Sequence, residues 1–153
     1  MIRVRRRALR VLLAVCLTAA LAGCASGRSR EEREARLNVY PDNYRADILA
    51  GLHSYLSGPT HISDAYVSEP SLQQIGQKNR YVACARFTAR DSDGRHAGNK
   101  DLLAVFVGGR FDQFIDEFTQ LGPANQANPA AVVKELCGAA EYKRFPELET
   151  LSR

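Results

Sequence analysis

The chain has 153 residues, 45% of them hydrophobic and 25% charged, with 21 basic against 17 acidic side chains and a formal net charge of +4. Five arginines, Arg3, Arg5, Arg6, Arg7 and Arg10, precede Cys24 with no acid among them, so from Cys24 onward the balance is 16 basic to 17 acidic. That near-neutral remainder excludes the basic footprint of a nucleic-acid partner, and its 130 residues suffice for one domain with one core.

The first element is residues 1–23, which read as a basic start, an uncharged run from Val11 to Gly23, and small residues before the break. This order predicts a signal peptide. The uncharged run is 13 residues, about 20 Å as a helix against a hydrocarbon core of roughly 30 Å, which disfavours a permanent transmembrane helix. Leu21-Ala22-Gly23-Cys24 resembles the lipobox of bacterial lipoproteins. The resemblance implies a diacylglycerol on the Cys24 thiol, cleavage just before it, acylation (palmitate) of the new amino terminus, and the membrane as a partner through that cysteine. Two or three acyl chains anchor stably, because each buried methylene contributes about 0.8 kcal/mol. An ordinary secretory signal cut near Ala25 is the alternative. Ala25, where aspartate would be an inner-membrane retention signal in some Gram-negative bacteria, implies the outer membrane.

Residues 24–38 are polar and charged and read as a lipidated tether. Ser29 with Glu32 has capping-box form, so residues 30–37 are candidates for a short helix, marginal when isolated. A single α+β periplasmic domain is expected over 39–153. Its first element is an amphipathic helix over residues 43–57, with Asp42 as N-cap and Gly58-Pro59 as the stop. Tyr44, Ile48, Leu49, Leu52, Tyr55 and Leu56 fall on its apolar stripe.

Then the period changes to that of an antiparallel β-meander of about four strands. Residues 62–68 form a short strand closed by Glu69-Pro70. Residues 80–90 form a longer one, with Tyr81, Ala83, Ala85, Phe87 and Ala89 on one face and Val82 and Cys84 on the other. The run from Leu102 to Val107 does not alternate, as expected of a strand buried on both faces. Gly108-Gly109 matches a two-residue hairpin turn into residues 110–115.

Asn128-Pro129 is a cap and first-turn pair for a helix through about Leu136, with Cys137 at its end. Residues 145–151 suggest one more helical turn. Once Cys16 leaves with the signal and Cys24 carries lipid, Cys84 and Cys137 remain, 53 residues apart. Two thiols in an oxidising envelope pair, and closing so long a loop is worth roughly 4 kcal/mol in the chain-entropy model. The alternative is two buried free thiols. The pairing would tie the C-terminal helical segment to the Cys84 face of the sheet and leave the alanine-rich face for the first helix.

Few residues suggest chemistry. Asp91-Ser92-Asp93-Gly94 starts like a calcium loop, but Arg95, His96 and Leu102 stand where an EF-hand needs an oxygen ligand, a glycine and a glutamate. His53, His61 and His96 lack metal-ligand spacing, and no nucleophile elbow or Walker loop is present. Asp112, Asp116 and Glu117 sit at strand ends, where acids are ordinarily solvated. Arg86, Thr88 and Arg90 share one strand face, about 7 Å apart, and are the candidate anion-binding residues. No cofactor or metal is expected.

The stretches Tyr40-Pro41-Asp42-Asn43-Tyr44-Arg45, Arg90-Asp91-Ser92-Asp93-Gly94-Arg95 and Phe106-Val107-Gly108-Gly109-Arg110 resemble a group of small lipoproteins of Gram-negative bacteria. That resemblance implies the cell envelope and transfers no site residues. The expectation is a lipid-anchored envelope protein whose domain binds or braces another envelope protein without catalysis. The alternatives are a periplasmic inhibitor of an incoming enzyme such as a lysozyme, and a small enzyme.

Overall fold

The computed structural model describes residues 29–56, 61–90, 96–116, 119 and 128–151. The lipobox and the Asp91 to Gly94 segment lie outside the described residues, as does the expected stop at Gly58-Pro59. The chain divides into two units, Met1–Arg36 and Leu37–Arg153. Of the first, residues 29–36 are described and are helical, within a helix that runs to residue 37 (α1). No described helix is long and apolar enough to cross a membrane.

The second unit is mixed α+β, built on an antiparallel sheet. Helix α2 spans Tyr44–Tyr55. Strands follow as β1 (His61–Ser68), β2 (Ser71–Ile75), β3 (Lys78–Arg90), β4 (His96–Val107) and β5 (Arg110–Ile115). Helix α3 (Pro129–Gly138), strand β6 (Tyr142–Arg144) and the single turn α4 (Pro146–Glu149) complete it. The sheet order is β5-β4-β3-β1-β6, with β2 also paired to β3. Six strands replace the expected four for two reasons. Glu69-Pro70 divides one strand path into β1 and β2, both antiparallel along the same edge of β3. Three residues at Tyr142–Arg144, too few to show a period, add β6 to the outer edge of β1.

Turn chemistry sets the registers. Gly108 and Gly109 have φ of 59° and 76°, the double left-handed turn whose twist matches that of the paired strands, and Val107 faces Arg110 across it. Gly76, at φ 62°, opens the two-residue turn between Ile75 and Lys78.

The sheet is covered on both faces. On one, Tyr44, Ile48 and Leu52 of α2 pack on Ala83, Ala85, Phe87 and Ala89 of β3 and on Leu102, Ala104 and Phe106 of β4. The helix comes closest to the sheet over β5, where Gly51 faces Phe111 and Phe114. The buried stripe of α2 is narrower than expected, for Leu49 and Leu56 are partly buried and Tyr55 is exposed. The residue before the helix is Asn43, which caps it through the backbone alone. On the other face α3 lays Val133 and Cys137 over Val82, Cys84, Leu103, Val105 and Ile115. The Cys84–Cys137 disulfide ties α3 to β3 there, with Cα atoms 5.5 Å apart. Residues Leu102 to Phe106 are all buried, as a strand between two covers must be.

The C-terminal segment does not stay on the Cys84 face. It crosses the sheet edge as β6 and buries Phe145 and Leu148 among the α2-side residues. That crossing closes a defect in β1. Pairing with β3 shifts between Ser63 and Tyr66, where Asp64 takes φ 52°. The backbone N–H of Ala65 donates to Glu149 Oε1 at 3.0 Å, and its carbonyl accepts from Phe145 N at 2.8 Å. A buried backbone pair left unpaired by a bulge is thus satisfied by α4.

Candidate functional site

The break between β1 and β2 borders a concavity of the described surface. Pairing passes from Val67 opposite Ala85 to Ser71 opposite Val82, so Ser68, Glu69 and Pro70 face only Ala83 and Cys84. Pro70 has no N–H to give a ladder, and three residues stand here opposite two of β3. The backbone N–H of Cys84 would then lack a partner; the buried Ser68 hydroxyl accepts it at 2.8 Å and donates to Glu69 O at 3.2 Å. Glu69 projects outward, accepting from Lys143 Nζ of β6 at 2.7 Å and from the Tyr40 hydroxyl at 3.3 Å. The hydrogen bond from Lys143 holds the Glu69 carboxyl below the usual carboxylate range.

Beside this break lies an open cleft of about 510 Å³. Ser71, Gln73 and Val82 form its sheet side, and Leu136, Ala139 and Ala140 at the end of α3 form the other, with Cys84 also lining it. Its polar rim is acidic, since Glu69, Glu135 and Glu141 stand against Lys143 alone. With Lys143 taken up by Glu69, the exposed carboxylates of Glu135 and Glu141 set the local charge.

A second cleft, of about 400 Å³, lies over the polar half of β3 and β4. The β3–β4 register places Arg86 opposite Asp101 and Thr88 opposite Asn99. Arg86 donates to both Asp101 oxygens, Nε to Oδ1 at 2.6 Å and Nη2 to Oδ2 at 2.9 Å, and lies 4.5 Å above the Tyr142 ring. This fork-to-fork pairing neutralises the guanidinium. Burial, with the Asp101 carboxylate adding and Arg86 opposing, pushes the Tyr142 phenol up to about 12; its hydroxyl donates to Cys137 O at 3.0 Å. Thr88 Oγ1 bonds Asn99 Oδ1 at 2.9 Å. Asp116, on the same cleft, accepts from the Tyr55 hydroxyl and from Thr119 Oγ1 at 2.6 Å.

The residues singled out by sequence therefore scatter. Cys84 and Cys137 meet in a bond. Arg86 is turned to Asp101, Thr88 to Asn99, and Arg90 is exposed at the strand end opposite His61. The three do not converge on one point for an anion. Asp112 is exposed on β5, Asp116 is bonded within the domain, and Glu117 lies outside the described residues. His53 and His61 are exposed on separate elements. Among the described residues no group of three His, Cys, Asp or Glu could hold a metal ion. What sequence reading passed over is β2 and its cleft; the signal was Glu69-Pro70 at a strand end with Leu72 and Ile75 following, a proline break inside one strand path. Comparison with protein-family models, with curated proteins and with solved structures found no match to this chain.

Proposed function

We propose that this is a cell-envelope lipoprotein, held to the membrane by lipid on Cys24, whose residues 37–153 form a non-catalytic binding domain for another envelope protein. The observation that carries the reading is the Cys84–Cys137 disulfide joining sheet to helix, a bond that persists in oxidising compartments such as the periplasm. It agrees with the compartment implied by Leu21-Ala22-Gly23-Cys24. The binding role is supported by the open cleft beside the β1–β2 break; the polar side chains of the second cleft are engaged with one another, Arg86 with Asp101 and Asp116 with Tyr55. Ala25 after the cysteine favours the outer membrane.

Metabolic labelling with a palmitate analogue tests the anchor. Wild-type protein is expected to carry label and fractionate with outer-membrane vesicles, while Cys24→Ser loses the label and any processed protein leaves the membrane. Label retained by Cys24→Ser overturns the proposal, and recovery only with inner-membrane vesicles overturns the outer-membrane assignment.

A further inference from the structure

The sheet protects its edges unevenly. The outer edge of β1 is closed by β6 and by the bonds from Phe145 and Glu149. The edge strand β5 carries the charges Arg110 and Asp112 and a register shift opposite Val105 and Phe106, devices that discourage pairing with another chain. Strand β2 has neither. Its five residues, Ser71-Leu72-Gln73-Gln74-Ile75, include no charge and no proline, and among the described residues it pairs only with β3.

Register shows what that edge offers. The two-residue turn makes Ile75 and Lys78 a hydrogen-bonded pair, and alternation makes Gln73 with Arg80 and Ser71 with Val82 the next ones. The backbone N–H and C=O of Leu72 and Gln74 therefore point away from β3. Ser71 and Gln73 lie on the cleft face. Leu72 lies on the opposite face, 48% exposed, across from Tyr81, whose ring meets Tyr40 edge-on at 5.4 Å. A chain laid along this edge would find backbone partners, a cleft for one set of side chains and an apolar strip for the alternate set.

Charge selects the occupant. The carboxylates of Glu135 and Glu141 on the cleft rim favour a basic segment. They disfavour a second copy of this chain, because antiparallel pairing of β2 with its twofold mate would bring both acidic rims to the same face. We propose that the free edge of β2 docks an extended basic segment of a partner polypeptide by strand addition, with alternate side chains entering the cleft beside α3. This rests on the reading of the domain as a binding module and names where and how it binds.

The test selects random peptides displayed on phage against the disulfide-bonded full chain in detergent. Enriched peptides are expected to alternate apolar residues with lysine or arginine, and to slow amide hydrogen exchange at Leu72 and Gln74 on binding. Gln74→Pro removes one outward donor without touching a β2–β3 bond, and should weaken these peptides about tenfold, the worth of one to two net hydrogen bonds. The pair Glu135→Lys and Glu141→Lys, both exposed, should weaken them similarly while leaving the fold intact. Should Gln74→Pro fail to fold, exchange at the two amides in the unsubstituted chain and the charge-reversed pair decide. No enrichment, enriched peptides indifferent to both changes, or protection of Leu72 and Gln74 by self-association without peptide would each overturn the proposal. Palmitate labelling of Cys24 is unaffected by these changes, so loss of the anchor and loss of the docking edge are read separately.

Discussion

The Ser68 hydroxyl stands where a strand partner for Cys84 should be, accepting its backbone N–H at 2.8 Å inside the protein. One buried side chain thus lets β1 and β2 part around Pro70 without orphaning the residue that carries the disulfide. Ser68→Ala leaves that N–H buried and unpaired, which costs about 1–3 kcal/mol. Urea unfolding should show the loss as a lower midpoint with an unchanged slope. Ser68→Thr, which keeps the oxygen, should lose less, and an alanine variant as stable as the parent would mean that the hydroxyl is not what closes the gap.

The disulfide spans 53 residues of sequence. In the chain-entropy model, opening so long a loop costs roughly 4 kcal/mol. Because α3 reaches the sheet through only two buried residues, Val133 and Cys137, with Val132 and Leu136 partly buried beside them, reduction should free that helix before α2, whose contacts lie on the other face. Limited proteolysis after reduction is expected to cut first near Cys137. Cutting first within Tyr44–Tyr55 would show that the cover on the Cys84 face holds without the bond. Digestion between the cysteines without reductant, with the two peptides staying joined, checks the bond itself.

Both covered faces of the sheet were legible in the sequence, because burial imposes patterns that composition alone carries. Leu102 to Phe106 has no polar position, and Ala83, Ala85, Phe87 and Ala89 alternate with the residues of the Cys84 face, so each strand announces what lies above it. The missed strands lack that imprint. Strand β2 is an edge with Leu72 exposed, and β6 is three residues long, so neither is forced to alternate. The Arg86 pairing was hidden for another reason. Its partner Asp101 is fixed by the β3–β4 register, and the sequence by itself does not show which residue of the next strand stands opposite Arg86. The docking edge was invisible because an open edge is defined by which strands do not pair, a property of topology.

The raised phenol of Tyr142 makes a prediction in alkali. Its folded pKa, about 12, lies above the ordinary value of 10, so the folded protein holds this proton more tightly than the unfolded chain. That contribution to stability is complete below pH 10 and is lost as the pH rises from 10 through 12, as the phenolate gives up its donation to Cys137 O. Unfolding free energy measured across this window should fall less steeply for Tyr142→Phe than for the parent. The phenolate absorbance attributable to Tyr142, taken as the difference between the two, should rise near pH 12. Identical pH slopes would place Tyr142 in a solvated setting and remove it from the packing beneath Arg86.

Helix α2 crosses β5 at Gly51, and there the packing leaves no room for a side chain. A Cβ at this position would lie 2.9 Å from Phe111 Cε1 and 3.1 Å from Phe114 Cε2. The rings have little freedom to retreat, since Phe111 is 4.6 Å from Phe114 and 6.3 Å from Phe106 between ring centres. Gly51→Ala gains about 1 kcal/mol of helix propensity but overpacks at a cost of about 1–3 kcal/mol, so a net loss of about 1 kcal/mol is expected. Gly138, at the end of α3, has nothing within 4 Å of the same added atom, and Gly138→Ala should instead gain several tenths of a kcal/mol to about 1. Thermal unfolding of the two variants should move in opposite directions. Adding Phe111→Leu to Gly51→Ala should cost less than Phe111→Leu alone costs the parent, because the smaller side chain relieves the clash; equal costs in the two backgrounds would show that the helix has already shifted away from β5 and that the close approach is not what glycine serves.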